Sequence, residues 1–130
     1  MSIEYVVSLE PFAESHFVRG FARKYKGAWA ITWDGLVFEF RNFEVLLGKS
    51  YATIITQHEQ LKICKVEFRV HGTEESRRSS GSRYIVALHD DTCEAKVLLV
   101  YCKTDVRGAR ETDWWQSVIR ENYPQYKGIF

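Results

Sequence analysis

Two apolar runs constrain this chain more than anything else in it. RYIVALH (Arg83–His89) and EAKVLLVYCK (Glu94–Lys103) are separated only by the turn-forming DDTC. Strands joined by so short a turn must be antiparallel neighbours. Both runs are apolar on both faces through their middles, so they belong at the centre of a sheet. LKICKVEFRV (Leu61–Val70) alternates instead: Cys64, Val66, Phe68 and Val70 share one face, and Lys65, Glu67 and Arg69 share the other. SYATIITQ precedes it as a further strand. Between Val70 and Arg83 the segment HGTEESRRSSGS has no periodicity and is expected to be a polar loop.

Upstream the hydrophobic period changes. IEYVVSL, from Ile3, predicts a short strand, and Pro11 suits the first turn of a helix. Phe17, Val18, Phe21, Ala22 and Tyr25 recur at helical spacing, while Arg19, Arg23, Lys24 and Lys26 face away, and Gly27 is the expected stop. Trp33, Leu36, Val37, Phe40, Glu44 and Leu47 predict a second helix from Trp29 to Leu47, ended by Gly48. Its aromatic stripe is expected to be core rather than a cofactor box. Near the C-terminus, Thr112 is the expected cap of a short helix bearing Trp114, Trp115, Val118 and Ile119, which Pro124 ends. The expected architecture is α+β and a single domain over residues 1–130. An N-terminal strand and a helical hairpin pack on one face of a twisted antiparallel sheet, with a short C-terminal helix.

Composition narrows the function classes. Hydrophobic residues make up 45% of the 130, which argues against disorder. No apolar run is long enough to span a bilayer, and the opening MSIEYVVSLEPF lacks the basic leader of a secretory signal, so a cytoplasmic location is expected. Cys64, Cys93 and Cys102 show no CxxC spacing, and His16, His58, His71 and His89 form no metal-ligand pair. Neither a metal nor another cofactor is therefore expected. Net charge is only +1, but the stretch from Lys62 to Arg83 holds Lys62, Lys65, Arg69, Arg77, Arg78 and Arg83 against Glu67, Glu74 and Glu75. That local excess of positive charge hints at a polyanionic ligand.

The succession KICKVEFRV, then SGSRYIVALHDD, then KVLLVYCKTD resembles the RelE/ParE/HigB superfamily of toxins from type II toxin–antitoxin modules. The order strand, helical hairpin, antiparallel sheet and short terminal helix extends the likeness from Ile3 to about Tyr123. The resemblance implies an mRNA endoribonuclease, often acting on translating ribosomes and neutralised by a cognate antitoxin protein. Other branches of the superfamily bind without cleaving RNA, including one that poisons DNA gyrase. By position, Arg83 matches the arginine that contacts the scissile phosphate in the RNases. Arg69 and Glu67 fall where two basic residues are common, with Lys65 able to substitute for the second, and Lys103 matches a lysine ending the last long strand.

Metal-free RNA cleavage needs a base for the 2′-hydroxyl, an acid for the leaving oxygen and cations on the phosphate. On this expectation Arg83 and Arg69 hold phosphate oxygens. Lys65 or Lys103, crowded by other cations, exchanges a proton, and Glu67 and His71 are alternative acid–base groups. Arg77, Arg78, Tyr84, Tyr101 and His89 are the expected RNA contacts, the tyrosines by stacking on bases. Against this stands the plainer expectation that Lys65, Glu67 and Arg69 form only a solvated strand face, and that Tyr84 and Tyr101 are core aromatics.

Overall fold

A computed structural model describes residues 4–25, 27–74, 76–106, 108 and 110–129. Ile3, Lys26 and Glu75 lie outside the described residues, as do the side chains of Arg78 and Asp105. The chain is α+β, with a five-stranded mixed sheet and helices. Its strands are β1 (Val6–Leu9), β2 (Ala52–His58), β3 (Leu61–Phe68), β4 (Ser82–His89) and β5 (Glu94–Cys102), in the spatial order β1-β5-β4-β3-β2. β2 to β5 form the expected antiparallel meander. β1 corrects the expectation of a purely antiparallel sheet. It lies parallel to β5, with Val6 opposite Glu94 and Leu9 opposite Val97, because the helices between them return the chain to the same end.

The first helical segment runs from α1 (Pro11–Ala13) through a π-helical turn (Glu14–Val18) into α2 (Arg19–Tyr25). Gly27 opens α3 (Gly27–Arg41) rather than closing the helix before it. The expected long second helix breaks at Asn42, and α4 (Phe43–Leu46) follows. The cause is visible in the backbone: the Arg41 carbonyl leaves the helix and accepts from the Tyr5 N–H at 2.9 Å. The bend turns Phe43 and Leu46 into the core, with Phe40 and Phe43 rings 5.0 Å apart.

Both sheet faces are covered, so the molecule has three layers rather than two. Cys64, Val66, Phe68, Tyr84, Val86, Leu88 and Val97 pack beneath the helical hairpin. On the other face Ile63, Ile85, Ala87, Leu99 and Tyr101 meet α6 (Glu111–Asn122) and the 3₁₀ segment Pro124–Ile129 through Trp115, Ile119, Tyr123 and Tyr126. This explains why β4 is buried along nearly its whole length. A bulge between Ile85 and Val86 lets the adjacent residues Leu98 and Leu99 both reach the α6 side. The expected loop after β3 holds the short helix α5 (Arg77–Ser80), capped by the Ser76 side chain, which accepts from the Ser79 N–H.

Candidate functional site

Register alone puts Glu67, Arg83 and Tyr101 in one row across β3, β4 and β5. Lys65 lies two residues from Glu67 on the same face, and the first residue of α6, Glu111, leans onto the group. The Tyr101 hydroxyl donates to Glu111 Oε2 at 2.6 Å, and Lys65 Nζ lies 3.6 Å from the same oxygen. Among the described residues Glu111 Oε1 has no hydrogen bond. Arg83 is only 4% exposed. Its Nη2 is 4.0 Å from Glu67 Oε1, and its Nη1 donates to the carbonyls of Ser82 (2.9 Å) and Arg77 (3.4 Å). A buried guanidinium is tolerable only with such partners.

Lys65, Glu67 and Glu111 reach solvent, and Arg83 lies behind them. Two cations thus face two carboxylates, so the expected gathering of like charges around Lys65 is corrected: its neighbour is Glu111. Burial and the bond to Glu111 push the Tyr101 hydroxyl well above the ordinary phenol range, leaving it a fixed proton donor. Tyr101 is too deeply buried to stack on a base. Its ring instead meets Trp114 edge-on at 5.1 Å.

Two further cations border the same end of the sheet. Lys103 follows β5 in a 3₁₀ turn, its N–H donating to the Gly81 carbonyl at 2.8 Å. Gly81 has φ +76°, and a Cβ there would come within 3.2 Å of Lys103 Cγ, so both conformation and contact favour glycine. Arg69 follows Phe68, which pairs with Ser82 as Ser82 pairs with Cys102. Both side chains are without an ion pair among the described residues.

Arg69, though at this end of the sheet, is not part of the Glu111 patch, and the remaining candidates lie elsewhere. Arg69 follows Phe68, the last residue of β3. It lines a 270 Å³ hollow against α3 together with His71, whose N–H donates to Thr32 Oγ1 at 2.8 Å. Arg77 also faces α3: it pairs with Glu39 at 2.8 Å and its guanidinium lies 4.0 Å from the centre of the Tyr51 ring. The Arg78 side chain is outside the described residues. Tyr84 points to the opposite face, fully buried and stacked on Phe68 at 3.9 Å, so it cannot take an RNA base. His89 is at the far end of β4, about 20 Å from Arg83 along the strand. Its Nε2 lies 2.8 Å from the Tyr126 hydroxyl.

Glu111 is the group that sequence reasoning missed. An acid in the first turn of a helix was visible, and it also favours the helix dipole. Thr112 was expected to cap that helix, but the cap position is Arg110, because Glu111 is already drawn onto Tyr101 and Lys65. Among the described residues no group of three or more His, Cys, Asp or Glu could hold a metal ion. Cys64 is buried, which pushes its thiol up to about 12. No helix of the described residues is long and apolar enough to cross a membrane. No family model, curated protein or solved structure matches the chain.

Proposed function

We propose that this protein is the toxin of a type II toxin–antitoxin module, a RelE/ParE/HigB-like mRNA endoribonuclease that blocks translation without a metal and is silenced by a cognate antitoxin. One observation carries the proposal. A carboxylate (Glu111) whose Oε1 has no hydrogen bond among the described residues, a phenol and an ammonium converge on one patch, with Lys103 at the same end of the sheet. Glu111 or Glu67 is suited to accept the 2′-hydroxyl proton. Lys65 is suited to donate to the leaving oxygen, and Lys103 to attract the phosphate chain. Arg83 then acts chiefly as a positioning residue, holding Glu67 from behind the strand face.

Inducible expression in bacteria tests this. Growth arrest is expected, with new transcript ends arising inside codons, and both should vanish in Glu111→Gln and Glu67→Gln variants that keep the parent's melting temperature within a few degrees. Arrest that survives both substitutions overturns the catalytic assignment. A small reading frame beside this one, encoding a DNA-binding fold with a tail, is the expected antitoxin.

A binding-only relative, such as a gyrase poison, is the second reading. The burial of Arg83 and the balance of carboxylates against cations in its row favour it. Broken chromosomal DNA with intact transcripts is its expected signature.

A further inference from the structure

A hollow of 390 Å³ lies beyond the open edge of β5, between the first helical segment and α6. Topology creates it. β1 follows β5 only as far as Val97, whose carbonyl accepts from the Glu10 N–H at 3.1 Å as the chain turns into α1. From Leu98 to Cys102 no strand among the described residues pairs with β5 on that side. The bond from Lys103 N–H to the Gly81 carbonyl sets the phase of the β4–β5 ladder. Leu99 and Tyr101 therefore turn their backbone groups toward β4, and Val100 and Cys102 turn theirs toward the hollow.

The side chains around this edge have a consistent character. Phe17 and Trp114 pack edge to face, ring centres 6.2 Å apart, and together form one aromatic corner of the hollow. Lys24 reaches over the Tyr25 ring at 5.2 Å, bringing a cation to the rim. Gly20 leaves the helical wall bare: an added Cβ would meet nothing within 4 Å. The π-helical turn carries Phe17 and His16 to the opening, and such turns often mark functional positions. Tyr101 is common to this hollow and to the Glu111 cluster.

We propose that the hollow is a nucleobase subsite, taking the base of the RNA nucleotide next to the phosphodiester handled at the Glu111–Arg83 cluster, and that it rests on the reading above. An aromatic lining of Phe17, Tyr25 and Trp114 suits a base that has left its stack. Val100 and Cys102 supply backbone donors and acceptors for its edge, and Lys24 a countercharge for the adjoining phosphate. The volume is within the roughly 300–1,000 Å³ usual for small-ligand sites.

The test is a titration of ¹⁵N-labelled full-length protein with AMP, GMP, CMP and UMP in turn. At least one nucleotide should shift the Gly20 amide and Trp114 indole signals, with a Kd of roughly 1 mM or tighter. Gly20→Leu, which fills the hollow from the helix, should weaken this at least tenfold while leaving the rest of the spectrum in place. Shifts confined to Lys65, Arg69 and Lys103, or no shift with any nucleotide, overturn the subsite. Glu67→Gln separates it from the proposed reaction. Nucleotide shifts at Gly20 that persist in Glu67→Gln support the subsite whether or not growth arrest is lost. Growth arrest that depends on Glu67 without any shift at Gly20 leaves the nuclease standing and removes the subsite.

Discussion

The two ends of the sheet use the same three groups in different ways. At one end, Tyr5 donates to Asp90 Oδ1 at 2.8 Å and Lys62 pairs with Oδ2, so each carboxylate oxygen has its own partner. At the other, Tyr101 and Lys65 both approach Glu111 Oε2. The first arrangement is closed and lies on the helical-hairpin side, tying the turn after β4 to the chain just before β1. The second, among the described residues, leaves Glu111 Oε1 without a partner and adds the half-buried pair Arg83–Glu67. A clasp that only holds the fold should satisfy every lone pair it can. A site that handles a substrate has reason not to.

Substitutions can break or sharpen this contrast. The largest effect is expected from Arg83→Ala, which removes the partner of Glu67 and empties a buried site, at about 3 kcal/mol of stability in urea unfolding. The double variant Arg83→Met/Glu67→Leu should recover most of that loss while still abolishing growth arrest. Recovery of both stability and arrest would make the pair purely structural. Asp90→Asn comes next, at about 1–2 kcal/mol. Burial opposes ionisation of Asp90, but the bonds from Lys62 and Tyr5 outweigh it and hold the carboxyl below its usual range. A depressed folded value means the stabilisation is present above the unfolded pKa of about 3.9 and is lost as pH falls through the folded value. Asp90→Asn should therefore flatten the acid limb of a stability–pH curve. Tyr101→Phe is expected to cost the least, about 1 kcal/mol in thermal unfolding, and to weaken RNA cleavage. Tyr5→Phe should match it in stability and leave cleavage unchanged.

How far these features were legible depends on the distance over which they are determined. β2 to β5 followed from local alternation and one short turn, so their antiparallel order could be read directly. β1 could be recognised as a strand, but its partner is β5, with Val6 opposite Glu94, and no local pattern encodes that pairing or its direction. Coverage of the second sheet face was implicit in the doubly apolar β4 and β5, yet the amphipathic α6 was not assigned to it. At the site, strand parity put Lys65 and Glu67 on one face, while Arg83 entered through the resemblance and its place at the start of a buried strand. Arg69 lies just past the end of β3 and lines the hollow against α3, a neighbour that strand parity does not encode. Tyr84 and Tyr101 have opposite fates for the same reason of parity: one ring lies under the hairpin, and the other hydroxyl is aimed at Glu111. Glu111 was missed because its partners lie on other elements.

The parallel seating of β1 also has a consequence for synthesis. β1 leaves the ribosome long before β5 exists, and at about 5–20 residues per second it must wait several seconds for its partner. Until then Tyr5 has neither Asp90 nor a finished sheet beside it, and the hairpin has no surface to bury Trp29, Phe40 and Phe43 against. The nascent chain should be a ready client for chaperones, closing into its native form only once residue 102 has emerged.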